Sequence, residues 1–410
     1  MTPRTHDLWP RLACVAVLCC VFTGGLTPVY GAGVLSSQYF GESMLSVDQR
    51  AFAMGGAGLG ATGAYVDAVN PASLARVSTA SFNLTYRPFV NWGSDGSSSQ
   101  RLTSGRLSSG VFSLPLQWGV ALGLGIEQLH SAQYSFAEAC TTEAGLAYTR
   151  KLNRSGGVYA GGLSIAYSPG SGIGIGAGWR WLFGSVRTIS NLDFENSSYV
   201  DTKDELLQKH SGGYPALGFF WDGGTVGLGA YWRGSSTGNG LLTIHTTHYV
   251  DRSTEFDYSL PSRFGAGIGV GPLRGLSLAA DVWKERWSEA TFEGQSDEFR
   301  DVTVVSIGLE FVPTNGERTY PPIRIGYRSR PGYYLVPLPD GGMSSTPPSD
   351  EAFTAGTMLG AGQGQGVVQV AIAVGRRGGL LRYGVKETYL EASLGFTGFE
   401  PWTRRRLPGP

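Results

Sequence analysis

The stretch WGVALGLGIE, residues 118–127, sets Trp118, Val120, Leu122, Leu124 and Ile126 against Gly119, Ala121, Gly123, Gly125 and Glu127. A period of two is the signature of a β-strand, whose side chains alternate between faces. The same pattern returns in GLSLAADVW (275–283), PIRIGYR (322–328), VVQVAIAV (367–374) and YLEASLGF (389–396). In each, one face is large and apolar and the other is small, glycyl or charged. A soluble sandwich would bury the apolar face against a second sheet. A transmembrane barrel turns it to lipid and the polar face to the lumen, so alternation alone leaves both open.

Three features favour the barrel. Segments 118–127, 274–288 and 301–313 reach the roughly 9–11 tilted residues needed to span an apolar layer. Tyr159 and Tyr167 bracket Leu163 and Ile165 on one face, as two interfacial belts would. Connections alternate between tight ones (115–117, 168–172, 222–224, 271–275, 313–318, 362–366) and long polar ones (93–106, 131–156, 190–211, 234–258, 289–299, 331–350, 376–384). Short periplasmic turns and longer outer loops are the rule for such barrels. Fourteen strands result, near 79–92, 107–116, 118–129, 157–167, 172–189, 212–221, 224–233, 259–270, 274–288, 300–313, 320–330, 352–362, 366–375 and 385–398. The even count returns both ends to the periplasmic side. AGLAYTRKL (144–152) is strand-like and surplus, either a hairpin within an outer loop or a sign of a different count.

The first residues read differently. Arg4 and Arg11 precede the apolar run 12–22, and small residues follow, which is the layout of a secretory signal peptide over 1–32, cut near Gly31 or Ala32. A membrane anchor is disfavoured by the short run, and a lipoprotein site at 17–20 by Leu18 and Cys19. Removal of the leader takes three of the four cysteines and leaves Cys140 alone, so the mature chain cannot form an intramolecular disulfide. Charged residues are only 16% and formal net charge is zero, which argues against nucleic acid as a partner. The expected organisation is a leader (1–32), a luminal hatch (33–78), a barrel (79–402) and a basic tail (403–410) around Arg404–Arg406.

The hatch expectation rests on RAFAMGGAGLGATGAYVDAVNPASLARV, residues 50–77, which is too broken for a strand and too glycyl for a stable helix. A barrel this wide needs something inside it, and small residues let one backbone approach another closely. A flexible periplasmic tail is the alternative. Asn70-Pro71 marks a turn leading into the wall.

With AMGGAG (53–58) and NPASL (70–74), the pieces ALGFFWDGGTVGLGAYWRG (216–234), LPSRFGAGIGV (260–270), LSLAADVWKERWS (276–288), IRIGYRSRPGYY (323–334) and FTAGTMLGAG (353–362) resemble the FadL/TodX family of outer-membrane transporters. The resemblance implies an all-β, fourteen-stranded transmembrane antiparallel barrel whose N-terminal luminal hatch carries Asn70, Pro71 and Ala72 as its motif. It implies passive uptake of long-chain fatty acids or similar hydrophobic molecules across the bacterial outer membrane, by a monomer without cofactor. The outer loops are shorter than the family's. A related family with a similar start serves protein secretion, so a secretion-system barrel or an adhesin-like surface barrel stays open.

Enzyme motifs fail their context. GLGATG (58–63) follows no strand and opens no helix. His245, His248 and Asp251 have a metal-like spacing, but residues three apart on a strand face opposite ways. A barrel hydrolase would need Ser and His held together, and the mature-chain histidines 130, 210, 245 and 248 all fall at or within the outer-loop regions. Asp281, Glu310, Arg324, Arg328 and Glu391 should all face the lumen. Mutual pairing that fixes wall and plug is one reading. Capture of a ligand carboxylate by Arg324 or Arg328 is the other.

Overall fold

The computed structural model describes residues 38–404, apart from 46, 64, 97–98, 144, 197, 247–250, 294–295, 316–317, 339–340 and 362–365. The expected leader, residues 405–410 of the basic tail and His248 lie outside the described residues.

Alternation closes the chain on itself. The wall strands are β1 (Thr79–Ser94), β2 (Ser99–Pro115), β3 (Val120–Ser131), β4 (Ala147–Gly170), β5 (Ile173–Phe194), β6 (Thr202–Asp222) and β7 (Val226–Arg233). They continue with β8 (Arg263–Leu273), β9 (Leu276–Glu285), β10 (Val302–Phe311), β11 (Ile323–Pro331), β12 (Ser349–Ala361), β13 (Gly366–Gly379) and β14 (Val385–Arg404). Each pairs antiparallel with the next, and β14 returns to β1, giving a closed fourteen-strand transmembrane barrel. Closure leaves no sheet edge within the apolar layer, where an unpaired backbone group would cost several kcal/mol. The closing ladder skips Arg87 and Pro88, running from Tyr86↔Leu394 to Phe89↔Glu391. Proline has no N–H to donate there. The Arg87 side chain bridges the gap, donating to Ser393 Oγ at 3.2 Å.

The two faces separate as the alternation requires. Leu122, Leu124, Leu163, Ile165, Leu278, Val282, Ile323 and Ile325 are exposed on the outside, while Ala121, Ala279, Asp281, Arg324 and Arg328 are buried within.

Several stretches expected as long outer loops are strand. β4, β5 and β6 run for 24, 22 and 21 residues, about twice what the apolar layer needs. The outer halves of β4 and β6 pair with further strands Tyr134–Thr141 and Ser236–Thr246, and Ser236–Thr246 pairs in turn with Arg252–Leu260. Residues 147–152 of the surplus segment are the outer end of β4, in a hairpin with Tyr134–Thr141. Polar residues such as Lys151, Arg187 and Glu205 hid these extensions, because above the membrane a strand needs no apolar face. His130, His210 and His245 therefore lie on strands, with His130 and His210 buried.

Residues 38–78 touch every wall strand from within. Arg87 (β1) donates to Leu45 O and Val47 O at 2.6 and 3.0 Å, and Val111 (β2) packs in one cluster with Ala72 and Leu74. Glu42–Ser43 pairs with His130–Ser131 (β3), Arg154 (β4) donates to Tyr39 O, and Arg180 (β5) donates to Ala68 O at 3.2 Å. Gly218 (β6) abuts Asn70, Gly229 (β7) abuts Leu59, and Gly267 (β8) abuts Gly60. Asp281 (β9) accepts from Gly58 N and Leu59 N at 2.7 and 2.9 Å, and Glu310 (β10) holds Arg50 at 2.8 Å. Arg330 (β11) donates to Ser43 O at 2.7 Å, Thr354 (β12) to Ala53 O at 2.8 Å, and Ser393 (β14) to Gln49 Oε1 at 2.7 Å. Arg377 (β13) pairs with Glu42.

A charge on the lipid face should be costly while one on the outer extension is not. Leu163→Arg is expected to lose about 2–4 kcal/mol in equilibrium unfolding from lipid vesicles, and Thr149→Arg less than about 1 kcal/mol.

Candidate functional site

The interior has three levels. Toward the end with the strand extensions lies an aromatic chamber built by the wall, the connections around Trp287 and 333–336, and the start of the N-terminal segment. Phe40 sits at its centre, with ring centroids 5.0 Å from Phe292, 5.5 Å from His130 and Tyr258, 5.7 Å from His210 and 6.2 Å from Trp287. Tyr39 lies edge-on to Phe299 at 4.8 Å, and Trp287 stacks on Tyr333 at 3.9 Å. Phe40 has no exposed surface, and full burial of such a ring stabilises by about 1.5–3 kcal/mol. Both ring nitrogens of the buried His210 lack a hydrogen-bond partner.

Below it runs a belt of buried ion pairs. Glu391 takes Arg106 at 3.1 Å and Arg328 at 3.4 Å, and Glu285 takes Arg330 at 3.4 Å and Arg263 at 3.5 Å. Asp350 takes Arg377 at 3.0 Å. Alternation forces these charges inward, and burial makes each depend on a partner.

At the tight-turn end lies an open cavity of about 870 Å³ lined by Arg50, Thr62, Asp222, Pro272, Tyr320 and Arg324 among others. Between belt and cavity run the glycines and alanines of the N-terminal segment. Asp48 caps the short helix Gln49–Ala53 by accepting from Ala51 N at 2.6 Å.

Asn70, Pro71 and Ala72 form one turn. The Asn70 side chain accepts from Ala72 N at 3.0 Å and caps the 3-10 helix Pro71–Arg76, with proline at its first position, where no N–H is needed. The turn is seated on two wall glycines. A Cβ at Gly176 (β5) would meet Pro71 C and Ala72 N at 2.5 Å, and one at Gly218 (β6) would overlap Asn70 Oδ1. Asp67 receives Val69 N at 3.0 Å, and burial first, then Asp48, pushes its carboxyl up to about 8.

Arg324 and Arg328 lie four residues apart on the inner face of β11, away from that turn. Arg324 donates to Glu310 at 2.6 Å and to Gln369 at 3.3 Å. Arg328 donates to Tyr389 Oη at 3.2 Å and pairs with Glu391. Asp281 holds the N-terminal segment rather than an arginine. His245 Nδ1 lies 2.7 Å from Asp251, and no cluster of metal-binding side chains occurs among the described residues. Sequence reasoning missed Phe40, Glu42, Arg106 and Arg377, and it set His130 and His210 at the outer loops and not in the buried cage. The available signal was Phe256 and Tyr258, large residues that alternate in step with Leu260 but fall on the stretch 234–258 taken as loop.

A closed wall, apolar outside and filled by its own N-terminal segment, defines the class as a filled transmembrane β-barrel. The family model described as BamG matches residues 16–222 and 235–407, and the chain belongs to that family. Its fold is that of the FadL/TodX-type barrels. The toluene transporter TbuX of Ralstonia pickettii superposes with a TM-score of 0.56 at 16% identity, covering 86% of this chain and 97% of its own. The toluene transporter TodX of Pseudomonas putida gives 0.55 at 15%, covering 91% and 100%. A Pseudomonas aeruginosa FadL homologue gives 0.55 at 13%, covering 86% and 98%. No curated protein is significantly similar in sequence.

Two predictions follow from the turn and its neighbour. Gly218→Val should unseat 70–76 without opening the wall, read as faster hydrogen exchange there in a protein that still migrates as a folded barrel. Asp67 has a folded pKa above the unfolded carboxyl value of about 3.9, so the packed segment is most stable below that value and weakens as pH rises toward 8. Asp48, Glu127, Arg263 and Tyr65 share its field. Exchange protection of 66–76 should fall between about pH 4 and pH 8 and level off above, after correction for intrinsic rates, and Asp67→Asn should remove that dependence.

Proposed function

We propose that the protein is a channel of the bacterial outer membrane through which hydrophobic small molecules, long-chain fatty acids or compounds like them, cross passively. Residues 33–78 are its hatch. The observation that carries this reading is the aromatic chamber at the outer end, closed from below by the segment that fills the lumen. Apolar cargo entering there would meet rings before it meets the charged belt, and the fold is shared with barrels named as toluene transporters and as a FadL homologue.

The hatch is poorly anchored by apolar area. Its middle, residues 53–63, contributes mainly glycine and alanine, and burial stabilises by roughly 25 cal/mol per Å² of apolar surface. It is held by dispersed hydrogen bonds instead, so a ligand that binds better when the hatch has moved shifts the population toward the open form. Asn70, Pro71 and Ala72, fixed on β5 and β6, are the hinge. A passing carboxylate would reach Arg328, in the belt, before the glycine–alanine middle of the hatch, and Arg324, at the rim of the turn-end cavity, after it. The reading requires no catalytic group, no cofactor and no second copy of the chain.

The tall one-sided wall favours a second reading, a surface barrel whose extensions at β4–β6 bind a partner, as in an adhesin or a secretion assembly. Uptake separates the two. Cells or proteoliposomes carrying the protein should take up a fluorescent fatty acid or toluene. Deleting residues 38–68 should raise leakage of small solutes, and Asn70→Ala with Pro71→Ala should alter uptake in a barrel that still assembles. Unchanged permeability and uptake in both variants, with a co-purifying assembly, would favour the second reading.

A further inference from the structure

We infer that Phe40, Gly41 and Glu42 occupy the seat of an arylalkanoate, an aromatic ring joined by a short chain to a carboxylate. The inference rests on the channel reading and names the ligand of its outer chamber. Phe40 is completely buried, and the five rings around it come from β3, β6, the extension Arg252–Leu260 and the connection after β9. Moving the segment aside would leave a ring-sized void walled by aromatic faces and by the imidazoles of His130 and His210; a wholly apolar void of about 150 Å³ binds benzene.

Two residues on, Glu42 brings a carboxylate to the belt. It pairs with Arg377, and its Oε2 lies 4.0 Å from Arg106 Nη1. Nη1 and Nε of Arg106 have no hydrogen-bond partner. Without Glu42, Arg377 keeps Asp350 and the field of Glu387, and Arg106 keeps only Glu391, which Arg328 shares, so these three guanidiniums outnumber the two carboxylates paired with them. Whatever displaces Glu42 must bring an anion, or two buried guanidiniums lose one.

The passage from cage to clamp is narrow. Gly41 has φ +85°, a Cβ there would overlap Ser131 O, and its carbonyl accepts from Tyr333 Oη at 2.9 Å. A cavity of about 60 Å³ beside Glu42, Arg330, Tyr333 and Arg377 gives the head group room to approach. A neutral hydrocarbon fills the cage and leaves the clamp unmatched. A long alkyl chain satisfies the clamp without needing a ring-shaped cage.

The test uses the full-length protein in nanodiscs, titrated with 4-phenylbutyrate, 4-phenylbutanol and dodecanoate and followed by the fluorescence of Trp287 and its neighbours. In Glu42→Gln the ratio of acid to alcohol affinity should rise about tenfold, because the internal anion no longer competes. Adding Arg106→Gln should return the ratio to its starting value. Phe40→Ala, which keeps Glu42, should tighten both phenyl ligands together and more than dodecanoate. An unchanged acid-to-alcohol ratio in Glu42→Gln, or a gain limited to dodecanoate, would overturn the arylalkanoate seat while leaving the channel intact. Failure of all three ligands to bind every variant would bring down the channel reading itself.

Discussion

A layer of hydrocarbon offers no partner to a backbone N–H or C=O, and this constraint shapes everything else in the molecule. It demands a closed ring of strands, and strands send every second side chain inward. Once Leu122, Leu124, Leu163 and Ile165 are given to lipid, the interior inherits glycine, alanine, arginine and glutamate. A lumen walled by such residues cannot collapse into an oily core. It is filled from the chain's own N-terminus, with small residues against wall glycines and carboxylates shared among guanidiniums.

The interior charges illustrate the balance. Removing one partner of a buried pair costs about 3–5 kcal/mol, whereas a matched network is close to neutral. The belt is linked through shared carboxylates, so Glu391 and Glu285 each tie two strands that are not neighbours in the wall. Aromatic contacts at one end and polar bonds in the middle anchor the segment by different chemistry.

Much of the wall was legible in the sequence because lipid imposes alternation: all fourteen strands appear near their expected positions. The extensions of β4, β5 and β6 were not, since above the membrane both faces of a strand meet water or protein and the period-two apolar signal fades. Asn70 and Pro71 announced their turn through local chemistry. The cage around Phe40 has no local signature. His130, His210, Tyr258, Trp287 and Phe292 come from separate parts of the chain and meet only because the ring closes. Arg324 and Arg328 were assignable to the inner face by parity, but the partners that occupy them depend on strand order around the barrel.

The seam between β1 and β14 has a bearing on how the molecule is made. Arg87 reaches across it to Ser393, 306 positions away in sequence, and the same guanidinium holds the carbonyls of Leu45 and Val47. The final ladder to zip is therefore the one of greatest sequence separation, and a chain whose decisive contacts are so remote folds slowly. β1 must wait for β14 before its outer edge is paired. A single side chain serves both the shutting of the cylinder and the lodging of its contents: an empty closed cylinder would keep its bond to Ser393 alone, and a filled open one its bonds to Leu45 and Val47 alone.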